Sequence, residues 1–167
     1  GKTLFQWFAE QLATRQRHAG QTIPWIIMTS DATHSETVAF FEEHNFFGRT
    51  HETPLFVCQG TMPAVDARTG EALLEGPGQL ALSPDGHGGL LDALERDKTF
   101  DRLAKLGVDT IFYHQIDNPT TKVCDPAFLG WHLREGSEVS TKVVEKVAAS
   151  EKMGIAVERD GVSCIIE

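Results

Sequence analysis

Short apolar runs alternating with helical patterns constrain this chain more than any other feature. Phe5, Phe8 and Leu12 recur at helical spacing, so residues 3 to about 18 read as an amphipathic helix that stops before Gly20. Residues 23–29, which include Pro24-Trp25-Ile26-Ile27-Met28-Thr29, read as a buried strand. Thr33 with Glu36 fits a capping box, and Val38, Phe41 and Phe47 follow in a helix expected to end near Gly48. Leu55 to Cys58 supplies the next strand, and Gln59 is its polar exit. Strand, helix and strand in that order need a crossover connection, which sets the strands parallel. The predicted class is therefore α/β, a Rossmann-like sheet, mixed but mostly parallel, with flanking helices.

Residues 64–82 depart from that pattern. Their short apolar pieces flank Asp66-Ala67-Arg68-Thr69-Gly70 and predict a β-hairpin excursion. Helical patterns resume over about 89–106, and residues 110–116 have the β-branched and aromatic content of a central strand, with Asp117 at its carboxyl end. Pro126 opens a further helix that stops before Gly136, and the remainder alternates like strands. Arg159-Asp160-Gly161-Val162 carries the Asp-Gly signal of a two-residue hairpin loop. That register pairs Arg159 with Val162 and, counting outwards, sets Gly154 opposite Glu167.

With 167 residues, 41% hydrophobic and 23% charged, the chain suffices for one domain spanning 1–167, and such lengths bury roughly 70% of the unfolded surface. No apolar run approaches the ~20 residues that cross a bilayer, so no membrane partner is expected. No secretory pattern opens the chain, and a cytoplasmic protein is expected. The net charge of −9 argues against nucleic acid, because phosphate-backbone binding relies on a basic face. A single nucleotide stays open, since a few amides, a cation and Mg²⁺ can hold its phosphates. Cys58, Cys124 and Cys164 are widely spaced and odd in number, which predicts reduced thiols rather than disulfides or a zinc pair. The seven histidines include no H-E-x-x-H pair.

The candidate sites lie just past the predicted strand ends, where open α/β sheets collect ligands. In Leu82-Ser83-Pro84-Asp85-Gly86-His87-Gly88-Gly89-Leu90, the glycines bare the main chain ahead of a helix start, which suits an anion or a base edge, or simply a tight turn. Gln59 offers an acceptor and a donor, the pair needed to read the imide edge of uracil, or is a solvated loop residue. Asp117 suits a hard oxygen-ligated cation, or opens a turn with Asn118 and Pro119. Lys142 and Lys146 alternate with Val143 and Val144, either as solvated edge charges or, for Lys142, as a phosphate contact. The paired Gly154 and Glu167 could form a shelf for a sugar ring, or mark a strand start and an exposed carboxylate.

Taken in order, residues 24–30, Phe40 to Gly48, Gln59-Gly60-Thr61-Met62-Pro63-Ala64, the glycine loop, Ile116-Asp117-Asn118 and Lys142 to Lys146 resemble the UDP-sugar pyrophosphorylase family, most closely its UDP-N-acetylglucosamine branch. The resemblance covers essentially the whole chain and implies a nucleotide-diphospho-sugar transferase sheet. It implies that Gln59 and Gly86 bind the nucleotide, that His87, Gly154 and Glu167 bind the sugar, and that Asp117 helps hold Mg²⁺. His87 stands where that branch usually has asparagine, and Gly-His-Gly is similar to other sugar pyrophosphorylases. The implied reaction joins UTP and a hexose 1-phosphate, N-acetylglucosamine 1-phosphate or glucose 1-phosphate, and releases pyrophosphate. The family's glycine-rich nucleotide loop, of the type L-x-G-G-x-G-T-R-L-G, does not occur in these residues. The resemblance therefore implies a partial catalytic domain that is inactive by itself. Two other readings stand beside it: a P-loop NTPase piece opening on Gly1-Lys2-Thr3, and a sugar-nucleotide binding module without chemistry.

Overall fold

The computed structural model describes residues 1–49 and 54–166. Two compact units divide the chain, residues 1–124 and 125–167. The first unit opens with helix α1, Leu4–Ala19, capped by Thr3, whose hydroxyl accepts from Gln6 N at 3.2 Å. Gly20 ends it in the left-handed region at φ 66°, a conformation glycine takes without a Cβ clash. Lys2 pairs with Glu10, and Thr3 serves as the helix cap.

Strand β1, Ile26–Thr29, is joined through helix α2, His34–Glu43, to the parallel strand β2, Leu55–Cys58. Side chains alternate faces along a strand, and the packing follows that period. Phe56 meets Phe41 of α2 at 5.3 Å, while Val57 packs with Ala93 and Leu94 of helix α3, Gly89–Arg96. The strand pair is thus covered on both faces. Phe41 is fully buried among Phe5, Trp25, Phe47 and Phe56, and burying such a side chain contributes about 1.5–3 kcal/mol.

The expected capping box does not form. Thr33 makes no cap bond to α2; its hydroxyl instead accepts from Ser30 N at 3.1 Å and lies 3.0 Å from Ser30 Oγ. A local hydroxyl turn has outcompeted the helix start for the same side chain. Nor does one helix reach Gly48: α2 stops at Glu43, and Asn45, Phe46 and Phe47 all take positive φ in a 3₁₀ turn.

The β excursion is present. Strand β3, Thr61–Pro63, pairs antiparallel with β6, Leu82–Pro84, and β4, Leu74–Gly76, pairs with β5, Gln79–Leu80. Its turn is tied by Asp66, whose carboxylate accepts from Arg68 N and Thr69 N, each at 2.9 Å. Those amides, first of all that of Thr69, hold its carboxyl below the usual range. The helical stretch 89–106 is two helices, α3 and α4, Thr99–Lys105, separated where Lys98 takes φ 56°.

Residues 110–116 were expected as a central strand, yet they form no ladder among the described residues. The sheets there comprise one parallel pair and three antiparallel pairs, so among the described residues parallel pairing is confined to β1 and β2 and a mostly parallel sheet is not seen. β propensity marks a residue as fit for a pleated surface, but a ladder also needs a neighbouring backbone. The segment is still anchored: the His114 ring packs against Phe8 of α1 with centroids 4.5 Å apart and planes tilted by 55°, and Gln11 bonds to Thr121 O and Val123 N.

In the second unit, α5 spans Pro126–Glu135, opening at Pro126 and stopping before Gly136 as expected; Asp125 caps it and Gly136 closes it at φ 62°. Strands β7, Ile155–Arg159, and β8, Val162–Ile166, form the tail hairpin in the predicted register, from Arg159 against Val162 to Ile155 against Ile166. Gly154 is the next residue outwards, but Glu167 lies outside the described residues. Lys142 is not on a strand. It pairs with the Asp125 carboxylate at 2.8 Å and lies over the Phe128 ring, an arrangement that alternation along the sequence does not encode.

Candidate active site

Parallel pairing carries the chain one step past β2, where Gln59 N donates to Thr29 O at 2.8 Å. This seats Gln59 at the carboxyl edge of the strand pair. A cleft of about 510 Å³ opens there, lined by Asp31, Cys58, Gln59, Gly60, Arg96 and Asp97 among others. Gln59 is half-buried and its side-chain amide makes no hydrogen bond among the described residues, which leaves donor and acceptor available to a ligand. Arg96 braces the edge by donating to Cys58 O at 2.9 Å. The Cys58 thiol donates to Asp31 at 3.3 Å. Burial, then the bond and charge of Asp31, push its pKa up, so the thiol stays protonated and is unsuited to act as a nucleophile.

The glycine loop meets this edge through Asp85, whose N–H donates to Gly60 O at 3.1 Å. Its carboxylate occupies the space that a Cβ at either Gly60 or Gly89 would need. Asp85 Oδ1 is buried and has no hydrogen-bond partner. Gly86 takes φ 78°, and the space where its Cβ would stand is open. The loop then closes into α3 through Gly89 N to Gly86 O and Leu90 N to His87 O, each at 3.2 Å.

A second group gathers at the far side of the loop. The Tyr113 hydroxyl and His87 Nδ1 are 2.9 Å apart. Burial, then the negative charge of Asp117, raises the Tyr113 pKa, so the phenol stays protonated. Asp117 is exposed in a turn in which Asn118 N donates to Gln115 O. The first unit therefore brings Gln59 to Gly60 and Asp85, and His87 to Tyr113 near Asp117, with Gly86 between them in the chain. Gly154 belongs to the second unit and is exposed there.

Sequence reasoning missed Asp85, Arg96 and Tyr113. Asp85 carries a turn signature, Arg96 reads as an ordinary helix-end cation, and Tyr113 reads as a strand aromatic; each acquires its role only from a partner distant in sequence.

A parallel strand pair joined through a helix, with a cleft at its carboxyl edge beside a glycine-rich turn, defines an α/β protein with its candidate site where such sheets collect ligands. A family model described as UTP–glucose-1-phosphate uridylyltransferase matches residues 1–167, and the chain belongs to that family. Among its relatives, a UDP-N-acetylglucosamine pyrophosphorylase of Saccharomyces cerevisiae is 38% identical over 169 residues, covering 99% of this chain and 35% of the relative. The UDP-N-acetylhexosamine pyrophosphorylase-like protein 1 of Homo sapiens is 36% identical, covering 99% and 34%. The structure of the uridine diphosphate N-acetylglucosamine pyrophosphorylase from Trypanosoma brucei superposes with a TM-score of 0.90 at 29% identity, covering 99% of this chain and 35% of that one. The chain thus spans about a third of the length of these relatives.

Proposed function

We propose that the protein containing this chain transfers a uridylyl group from UTP to a hexose 1-phosphate, N-acetylglucosamine 1-phosphate or glucose 1-phosphate, with release of pyrophosphate. The observation that carries the reading is the unengaged, half-buried Gln59 amide at the carboxyl edge of the parallel pair, inside a cleft beside a glycine-rich turn. Relatives named as UDP-N-acetylglucosamine pyrophosphorylases support it.

In this reading Gln59 pairs with the imide edge of uracil, and the bare backbone at Gly86 lets the nucleotide approach closely. The attacking phosphate oxygen is already anionic, so no general base is required. The chain's contribution is then alignment and charge placement rather than a covalent nucleophile, in keeping with a Cys58 thiol held protonated.

Among the described residues no cluster of three or more His, Cys, Asp or Glu could hold a metal. Asp117 fits the other kind of site, because Mg²⁺ commonly takes one or two carboxylates and completes its shell with water and substrate phosphates. Asp117 would hold it, and the ion would neutralise charge at the α-phosphate. Asp117→Asn keeps the shape and removes the charge. Turnover of the full-length protein should fall and its Mg²⁺ titration should move to higher concentration; an unchanged rate and titration would leave Asp117 as a turn residue.

His87, Gly154 and Glu167 are proposed as hexose contacts on the family resemblance, Glu167 lying outside the described residues. Gly154→Val and Glu167→Ala should each raise the KM for the sugar phosphate well above any change for UTP. Unaltered sugar kinetics in both variants would remove the pair from the site.

No helix among the described residues is long and apolar enough to cross a membrane. Free thiols at Cys58, Cys124 and Cys164 suit a reducing compartment, and cytoplasmic residence is part of the proposal. Calorimetry with UDP-sugars against ATP and GTP on the full-length protein tests the whole reading. Uridine-selective binding together with pyrophosphate release supports it; uridine-selective binding without release leaves a binding module, and purine preference overturns it.

A further inference from the structure

The extended segment before Asp117 alternates sides. Phe112 and His114 lie 6.0 Å apart with His114 packed against Phe8 of α1, and Tyr113 between them meets the glycine loop instead. Such alternation is the period of extended backbone, so anchoring His114 on the helix sets where Tyr113 stands. The Tyr113 hydroxyl is 2.9 Å from His87 Nδ1, and the two rings meet edge to face at 6.4 Å. His87 has open surroundings otherwise: it is exposed, and neither Gly86 nor Gly88 beside it has any atom within 4 Å of where a Cβ would be.

An imidazole in such a place can turn over about its own bond and exchange its ring nitrogens, and can carry its proton on either. A ligand meeting it would find a donor part of the time and an acceptor the rest. A hydrogen bond at one nitrogen removes that freedom, because it fixes which nitrogen carries the proton and which faces a ligand. We propose that Tyr113 is a positioning residue for the hexose end of the reaction: its hydroxyl donates to His87 Nδ1 and leaves Nε2–H as a fixed donor to an oxygen of the sugar. This rests on the uridylyltransferase reading for the identity of the ligand, but not for the Tyr113–His87 bond itself. Tyr113 keeps its proton, since burial and the Asp117 charge both oppose its loss. The sugar oxygen is an acceptor of either kind, a ring hydroxyl or an acetamido carbonyl, and the two are told apart by substrate.

The test uses the full-length protein and the variants Tyr113→Phe, His87→Ala and the double variant. Tyr113→Phe should raise the KM for hexose 1-phosphate about 3- to 10-fold, the effect of one neutral hydrogen bond, with the KM for UTP unchanged. In the His87→Ala background the same substitution should have no further effect, because Tyr113 acts through His87. Glucose 1-phosphate and N-acetylglucosamine 1-phosphate are assayed in parallel; the substrate with the larger change identifies the oxygen. Nitrogen-15 NMR of labelled histidine gives a readout apart from activity: His87 should show a single Nε2–H tautomer in the parent and a mixture in Tyr113→Phe. Unchanged hexose kinetics, full additivity in the double variant, or an unaltered His87 spectrum would each overturn the proposal. A parent that releases no pyrophosphate would instead overturn the uridylyltransferase reading, and the spectrum would still decide whether Tyr113 fixes His87.

Discussion

Gln59→Ala in the full-length protein should weaken UTP binding by about 1–3 kcal/mol, roughly 5- to 150-fold, because a buried base edge loses both its donor and its acceptor. The fold should not notice. What holds residue 59 in place is its backbone N–H, which donates to Thr29 O at 2.8 Å and is untouched by the substitution, while the side chain itself makes no hydrogen bond among the described residues. Binding of UTP by calorimetry and unfolding by denaturant therefore separate the two roles. Equal UTP affinity in variant and parent would take Gln59 out of the base site, and a large loss of stability would make it a structural residue.

Gly89→Ala should destabilise the protein by no more than about 1 kcal/mol, because the methyl group displaces only the end of the Asp85 side chain, which can rotate to another rotamer. Gly89 is buried at the first turn of α3, and its missing Cβ is the space that the Asp85 carboxylate fills. Removing that carboxylate should reverse the sign. In an Asp85→Ala background the same Gly89→Ala change meets no carboxylate and gains up to about 1 kcal/mol of helix propensity. Asp85→Ala alone should be close to neutral for stability, since Asp85 Oδ1 is buried without a partner and its removal relieves a desolvated oxygen. Denaturant unfolding of the four proteins checks this; equal destabilisation by Gly89→Ala in both backgrounds would refute the contact. The Asp85 carboxylate lies against both Gly60 and Gly89, positions that look unrelated when read along the chain. The φ of 78° at Gly86 gives a reason for glycine there.

The site was legible in uneven pieces. Gln59 and the glycine loop could be found because they follow apolar runs of strand length, and the carboxyl ends of parallel strands are where ligands gather. The cleft does form at Gln59, and the loop joins it through Asp85 and Gly60. His87 was visible as a residue, but its partner was not. Nothing local distinguishes Tyr113 from Phe112 as a strand aromatic; only the packing of His114 against Phe8 turns one of them towards the loop. Thr33 shows the opposite failure. The spacing to Glu36 is correct for a capping box, yet Ser30 lies within reach of the same hydroxyl and takes it.

What the sequence determined by itself is what neighbouring residues decide among themselves. The stop of α1 at Gly20, the Pro126 start and Gly136 stop of α5, the Asp66 turn and the Asp-Gly register of the tail hairpin all follow from local backbone preferences, and all appear where expected. Tertiary structure alone decided whether residues 110–116 would join a ladder, that Lys142 would be taken up by Asp125, that Arg96 would brace the end of β2, and that Asp85 would fill the space left by two glycines. Each of these depends on a partner residue or strand whose position the local sequence does not encode, because a hydrogen bond or a van der Waals contact is a property of two groups at a distance set by the whole fold.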